Sequence, residues 1–473
     1  MFQALLNWIR KQVSRIFPAK NIEEGLGIEI DISDVMADSI ELWAKMYEDE
    51  APWIDNKIIK SLNVPSSIAS EMARLVTIEM ESEVTGGVDS KGKALTNDRA
   101  SYLNEQYQRV IDSLRIQTEY AAAKGGMVFK PYLDNENIAI DYVQADNFYP
   151  VRFNASGELV AAIFPEIIIK GDRTYTRLEY HDYLGNGVNY ISNTSYVKGT
   201  EESGLGKSCE LTDVKEWEDL EGELNIKELD QPLFSYFKMP LANNKDSKSH
   251  LGVSVYSKAT KLIEEADKQY SKILWEYEGT ELAIDVNLDM LNNGELPEGK
   301  ERLYRKLDTE DESFYKVFNP DIRDTSLYNG LNKLLERIEF NSGLAYGTLS
   351  DVQEISKTAT EIKSSKQRSY STVVDIQKAL RIALEHLIIS MDYLATMYNL
   401  APVGDYEVSF DFDDSIIIDS KEEQAIMMME VSANLIKPEY YLMKRYGLTE
   451  EQAINMLPSM DIGIKEEDYD DME

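Results

Sequence analysis

A helix, a short polar loop and a very long helix follow one another over residues 325–399, and this segment constrains the fold most. Leucine and isoleucine recur at three- and four-residue spacing before Gly343, which predicts a helix that ends at this glycine. Beyond the loop, Thr358 and Glu361 have the spacing of a capping box and predict a new helix. No Pro or Gly interrupts residues 358–399, so this second helix should extend for about 60 Å. That length is unusual in an ordinary compact domain.

The periodicity of the remaining chain predicts helices first and strands afterwards. Helices are expected at residues 35–47, 68–81 and 102–123. The period then changes to two, which predicts strands at 127–133, 138–143, 148–153, 160–169, 175–183 and 188–196. A polar linker at 243–249 leads to a helix from Ser254, with Tyr277 in its apolar stripe and Glu276 facing away. Strand-like pieces follow at 282–286, 302–307 and 314–318. After the long helix, a strand is expected at 406–412 and helices at 422–436, 439–446 and from Thr449.

The composition and charge exclude several classes of protein. A hydrophobic content of 43% over 473 residues is sufficient for two to four folded domains. The single cysteine, Cys209, excludes an internal disulfide framework and fits a reducing compartment. No apolar run approaches the roughly 18 residues of a membrane span. The formal charge of −36 would repel nucleic acid from most of the surface, so a broad DNA-gripping face is excluded. An acidic wall would let DNA slide, or the acidity simply keeps a large assembly soluble.

Three stretches of this sequence resemble one known family. They are GLAYGTLSDVQEISKTATEIK around the polar loop, AAAKGGMVFKPY at the change of period, and IDYVQADNFYPVRFN soon after it. Together they are similar to the portal proteins of long-tailed double-stranded DNA bacteriophages, particularly those of Gram-positive hosts. Family members often have a proline before the Gly-Thr pair, where this chain has Tyr346. Portals are ring oligomers at one capsid vertex, through which the genome enters and leaves.

The resemblance implies an α+β fold class: a mainly α portal fold with a β-rich wing, two stem helices, a small α/β clip, a long tunnel helix and a helical crown. It divides the chain as follows: an N-terminal region and wing at 1–250 (helical at 33–125, β-rich at 126–240), stem helix 1 at 251–278, the clip at 279–324, stem helix 2 at 325–343, the tunnel loop at 344–357, the long helix at 358–400, and the crown with an acidic tail at 401–473. The clip is too small for a good core of its own and is expected to pair strands with its neighbours in the ring.

The resemblance also implies which residues face DNA. The tunnel-loop residues expected to do so are Tyr346, Gly347, Thr348, Leu349, Ser350, Asp351, Val352, Gln353 and Glu354. Beside them lie four basic residues that could contact phosphates, Lys357, Lys363, Lys366 and Arg368. Weak, salt-screened contacts of this kind could steady a moving duplex without arresting it. The alternative is that these basic residues face a neighbouring helix or water.

The partners implied by the resemblance are further copies of the chain in a ring homo-oligomer, expected to be a dodecamer, and double-stranded DNA in the channel. The terminase large subunit, a head–tail adaptor, and the scaffold and major capsid proteins complete the set. The implied location is the portal vertex of the virion, with host cytoplasm during assembly, and no membrane partner. Residues 1–22 form a basic, amphipathic island, which fits a helix docked on a neighbouring protein or packed internally better than a membrane-surface helix.

Residues that could carry chemistry are few and scattered. Residues 204–208 (GLGKS) resemble the end of a phosphate-binding loop, but Glu201 stands where that motif needs glycine. Asp411 and its neighbours Asp413 and Asp414 lack the Gly and distal Glu of a calcium loop and suggest a strand end before a turn. The histidines, His181, His250 and His386, have no ligand-spaced partner. We therefore expect no catalytic residue, no metal ligand and no cofactor.

Other function classes fit these features less well. A nuclease or packaging ATPase would need clustered carboxylates or a complete phosphate loop. An acidic capsid scaffold or minor capsid protein would have no use for a capped loop before a tunnel-length helix. A coiled-coil adaptor would show strict heptads, whereas residues 363–372 (KSSKQRSYST) interrupt the apolar stripe. A passive conduit and docking platform is the expected function.

Overall fold

A computed structural model describes the greater part of the chain. For residues 283–287, 304–307, 315–318, 359–366, 444, 450 and 451 the structure describes the backbone only. By contacts the chain divides into two compact units, Met1–Asp411 and Phe412–Glu473. The described residues are 19–55, 57–87, 95–135, 137–199, 202, 204–279, 283–287, 304–307, 315–318, 323–351, 359–412, 427–433, 435–446 and 450–457.

Among the described residues, the N-terminal part of the first unit contains four helices, with one strand between the third and the fourth: α1 (Ala19–Leu26), α2 (Asp34–Tyr47), α3 (Val64–Thr77) and α4 (Asp98–Lys124). The Ser33 side chain caps α2 and the Asn97 side chain caps α4, each accepting a hydrogen bond from a first-turn backbone N–H. Helix α4 ends where Gly125 takes a left-handed φ of 94°. Its Cβ position is filled by the backbone of Gly252, so this junction requires glycine.

The sequence places the end of α3 wrongly. Helix α3 ends at Thr77 rather than at residue 81, and Met80–Thr85 form a strand, β1. This strand pairs with β14 (Glu407–Phe412) in a two-stranded sheet. The Ser82 hydroxyl donates to the Ser409 carbonyl oxygen at 2.8 Å, 327 positions away. A pairing between such distant segments leaves no local signal in the sequence, so the helical periodicity alone extends the predicted helix to residue 81.

Two antiparallel sheets follow α4. The smaller sheet consists of β2 (Gly126–Asp134), β3 (Asn137–Gln144) and β10 (Ser235–Lys238), in the order β10-β2-β3. The strands of the larger sheet are β4 (Tyr149–Phe153), β5 (Leu159–Lys170), β6 (Arg173–Tyr183), β7 (Val188–Gly199), β8 (Lys207–Cys209) and β9 (Glu223–Lys227). Their order is β4-β5-β6-β7-β8, and β9 also pairs with β7. The six predicted strands are all present, and the α+β class is confirmed.

The long helix α7 (Ala359–Met397) is part of the core. Its apolar stripe is fully buried, and the Ser235 hydroxyl of β10 donates to the Ala383 carbonyl oxygen at 2.6 Å. A second core cluster lies against the larger sheet, where Ile22 of α1 packs with Ile163, Leu178 and Tyr196. The apolar stripe of α7 consists of Val373, Ile376, Leu380, Ala383, Leu384, Leu387, Ile388 and Met391. Burying this stripe stabilises the unit, since each full burial of such a side chain contributes about 1.5–3 kcal/mol.

Helix α5 (Thr260–Gly279) and helix α6 (Asp324–Ser342) lie on either side of a small sheet in the chain order. In that sheet β11 (Ala283–Asn287) pairs in parallel with β12 (Tyr304–Leu307) and antiparallel with β13 (Tyr315–Phe318). Helix α5 begins six residues later than expected, and its last turn differs from the predicted faces. Tyr277 is exposed and Glu276 is buried. Glu276 is buried because it forms an ion pair with Arg323 at 2.8 Å, which holds its carboxylate towards α6.

The segment at 243–249 is an ordered turn rather than a linker. The Asn243 side-chain oxygen accepts hydrogen bonds from two backbone N–H groups, and Asp246 accepts one from the Ser33 hydroxyl at 2.7 Å. The second unit contains α8 (Pro438–Tyr446) and α9 (Glu450–Met456). Residues 427–432 are also helical. Among the residues described, no helix combines the length and apolar character needed to cross a bilayer.

Candidate functional site

The junction between α6 and α7 positions the start of the predicted tunnel loop. Helix α6 ends as expected at Gly343, which adopts a left-handed φ of 75° and donates its N–H to the Glu339 carbonyl oxygen. A Cβ at Gly343 would lie 2.8 Å from the Thr372 hydroxyl oxygen on α7. One turn earlier on α7, the Arg368 guanidinium lies 4.2 Å from the centre of the Phe340 ring. These contacts hold the end of α6 directly against α7.

The Glu339 carboxylate binds the first half of the loop. Its side chain is fully buried, and Oε1 accepts hydrogen bonds from the Leu349 and Ser350 backbone N–H groups at 2.6 and 2.8 Å. Its Oε2 accepts from the Gly347 N–H at 3.3 Å and the Ser350 hydroxyl at 2.9 Å. Four donors therefore converge on one carboxylate, which is how a buried acidic group is stabilised.

Asn332 holds the same segment at a second point, two turns earlier on α6. Its side-chain oxygen accepts from the Asp351 N–H at 2.8 Å, and its amide donates to the Asp351 carbonyl oxygen at 3.2 Å. The Thr348 hydroxyl donates to the Ala345 carbonyl oxygen at 2.6 Å, which closes a turn over Gly347. Residues 344–351 therefore fold back along α6. Of the residues expected to face DNA, Val352, Gln353 and Glu354 lie outside the described part of the chain.

The structure describes only one of the four basic side chains proposed for phosphate contact. Arg368 is half-buried against Phe340, the helix-facing arrangement that the sequence left open as an alternative. Lys363 and Lys366 lie on the described backbone of α7, while Lys357 is outside the described residues. Whether any of the four contacts DNA stays a prediction.

Glu339 and Asn332 are the residues of this site that the sequence analysis missed. A signal was present, because Glu339 follows Leu331 and Leu335 by multiples of four and therefore shares the face of α6 that is apolar. An ionisable residue on such a face has to be satisfied by partners within the protein.

A second group of ionisable residues is largely buried between β2 of the smaller sheet and β6 of the larger sheet. The Glu179 carboxylate lies 2.7 Å from Lys130 Nζ, 3.2 Å from Arg177 Nη2 and 2.7 Å from His181 Nε2. Burial opposes ionisation of Glu179, but Lys130 and Arg177 outweigh it and hold the pKa of Glu179 well below its usual range. Burial lowers the pKa of His181, and Glu179 offsets this only in part. This cluster joins β2 to β6.

The other candidate residues are not brought together. Lys207 lies in β8, paired with Val197 of β7, and a short 3₁₀ turn at Leu211–Asp213 follows. A phosphate loop instead leads into a helix that binds phosphate at its N-terminus. Asp411 ends its unit within β14, and Asp413 and Asp414 fall outside the described residues. In the described part of the chain, no group of three or more His, Cys, Asp or Glu could hold a metal ion.

Comparison with known families identifies the chain. The family model for the phage portal protein, SPP1 Gp6-like, matches residues 55–465, which include the four sheets described above and the α6–loop–α7 unit. No curated protein matches the chain. The family is structural, and it implies in general a ring oligomer, passage of DNA, and contacts with capsid and terminase at a vertex of the virion. The chain belongs to the SPP1 Gp6-like phage portal proteins, which form the channel at the capsid vertex through which DNA is packaged.

Proposed function

We propose that this portal protein assembles as a closed dodecameric ring and that the loop at residues 346–354 faces the DNA in its channel, with the buried Ser350 at the base of that loop. The observation that supports this most is the attachment of residues 344–351 to α6 through Glu339 and Asn332. A loop that contacts a moving duplex needs a fixed base, and this one is bound by charge-assisted hydrogen bonds. We include Lys357, Lys363, Lys366 and Arg368 as candidate phosphate contacts.

The proposed domain assignment follows the sequence boundaries. Helices α5 and α6 are the stem helices, the sheet of β11, β12 and β13 belongs to the clip at 279–324, and residues 401–473 form the crown and acidic tail. The mixed order β12-β11-β13 supports the proposal that the clip pairs with neighbouring subunits, because β12 and β13 are the edge strands of that sheet.

The proposed partners are those of a conduit rather than of an enzyme. In the host cytoplasm the ring would associate with scaffold and major capsid proteins, then with the terminase large subunit during packaging, and finally with a head–tail adaptor. The phage would be a long-tailed one with a Gram-positive host. ATP hydrolysis belongs to the terminase. Purified rings should therefore show no ATP turnover above background, and turnover that disappears in Lys207→Ala would contradict this.

Replacing the loop tests its role in handling DNA. In one variant residues 346–354 become a Gly-Ser linker of equal length. In a matched control the exposed turn at 184–187, between β6 and β7, is replaced in the same way. Both variants should form rings, because α6 and α7 pack through Gly343 and Arg368 outside the replaced segment. Capsids containing the loop variant should fail to package or retain DNA, while the control packages normally. Full-length DNA packaged and held by the loop variant would contradict the proposal.

A further inference from the structure

Glu339 differs from the other acidic residues of α6 in its surroundings. Its side chain is 0% exposed, whereas Glu336, three residues earlier, is only half-buried and pairs with Lys333 at 3.1 Å. In the described part of the chain, no basic side chain forms an ion pair with Glu339. All the donors that the structure gives this carboxylate come from residues 347–350.

This arrangement couples the loop to the helix in both directions. A buried carboxylate without donors is strongly unfavourable, so the position of Glu339 is stable only while residues 347–350 are bound to α6. The segment in turn contains N–H groups that would lose their acceptor if it left α6. Residues 347–350 are therefore either bound to α6 or released from it, because a partly bound state would leave polar groups on both sides without partners.

We propose that Glu339 is a positioning residue for DNA passage, which seats residues 347–350 on α6 and so fixes where the loop leaves the ring wall. This inference rests on the proposed role of the loop. Asn332 holds the far end of the seated segment through Asp351, and Gly343 sets its start. A force exerted on the loop by DNA is then transmitted to α6 at Glu339.

Replacing Glu339 with glutamine tests the proposal without changing the size of the side chain. One oxygen of Glu339→Gln can still accept, but in either orientation its NH₂ group faces at least one backbone N–H group of residues 347–350, which it cannot bind. Hydrogen exchange in residues 344–351 should become at least about tenfold faster than in the parent. Glu336→Gln is the matched control on the same helix, and its exchange in this segment should be unchanged.

The same variants are then incorporated into capsids. Rings of Glu339→Gln should assemble as the parent does, but those capsids should retain less full-length DNA than the Glu336→Gln control. Ser350→Ala, which removes one of the four donors, should show a smaller change in both measurements and decides the matter if Glu339→Gln does not fold. Unchanged exchange at 344–351, or faster exchange with normal DNA retention, would overturn the proposal. Failure of the parent itself to form rings would count against the proposed function instead.

Discussion

Arg99 of α4 and Asp392 of α7 form an ion pair that is buried on the arginine side, with 3.4 Å between Arg99 Nε and a carboxylate oxygen of Asp392. The Arg99 side chain is 1% exposed and also donates to the Thr396 hydroxyl at 2.7 Å, across 297 positions of sequence. Burial raises the pKa of Asp392, and Arg99 offsets this only in part. The pair therefore fastens the end of the long helix to the N-terminal half of the first unit.

Arg99→Met should destabilise the protein by about 2–3 kcal/mol, because it leaves the half-buried Asp392 without its cation. Urea unfolding of the full chain measures the change. Arg109→Met is the control on the same helix, since Arg109 forms an exposed pair with Glu105, and it should cost less than about 1 kcal/mol.

The loss of stability caused by Arg99→Met should also depend on pH. A carboxylate with a raised folded-state pKa stabilises the fold when protonated, and this contribution is lost as pH rises through the folded pKa. Removal of Arg99 raises the pKa of Asp392 further, so the deficit should be smaller in mild acid than at neutral pH. If the loss of stability in Arg99→Met does not change as pH rises from the ordinary carboxylate range, the proposed interaction between Arg99 and Asp392 is contradicted.

His181 should make the protein less stable below its ordinary pKa of about 6.5. Burial lowers the folded-state pKa of His181, so the unfolded chain takes up a proton first and stability falls as pH decreases through this window. His181→Gln keeps an N–H donor for Glu179 and does not titrate, and it should flatten the profile there. The control is His250→Gln, at an exposed histidine, and it should keep the wild-type dependence of stability on pH. The depressed pKa of Glu179 acts separately, since its contribution is lost only at lower pH, below the ordinary carboxylate range.

Gly343→Ala should be more destabilising than Gly171→Ala. Both glycines have a left-handed φ, 75° and 64°, and either alanine costs about 1–2 kcal/mol in backbone strain. Only at Gly343 does the added methyl group also meet Thr372 at 2.8 Å, whereas Gly171 has nothing within 4 Å. A difference of about 1 kcal/mol or more in the free energy of unfolding is expected. Equal losses in the two variants would show that α6 and α7 do not pack closely at this point.

The features predicted correctly from the sequence are those specified locally. The end of α6 at Gly343, the strands after Gly125 and the length of α7 all follow from residues close together in the chain. The pairing of β1 with β14 and the contact of Arg99 with Asp392 join distant segments, and no local pattern carries them.

The candidate site shows the same division. The start of the loop after Gly343 could be predicted, but the conformation of residues 344–351 depends on which side chain of α6 accepts their N–H groups. Glu339 was missed because an acidic residue in a helix is usually solvated, and only its position in the apolar face indicates burial. The seated conformation of Ser350 and Asp351 follows from that single placement.

Electron microscopy of the purified full-length chain tests the central claim most directly. A portal protein should appear at micromolar concentration as closed rings with rotational symmetry and a central channel, and the proposed subunit number is twelve. The apolar side chains that α5 and α6 leave exposed, including Trp275, Tyr328 and Phe340, should then be covered by neighbouring subunits. A population consisting only of monomers, or of open filaments without a closed channel, would contradict the account.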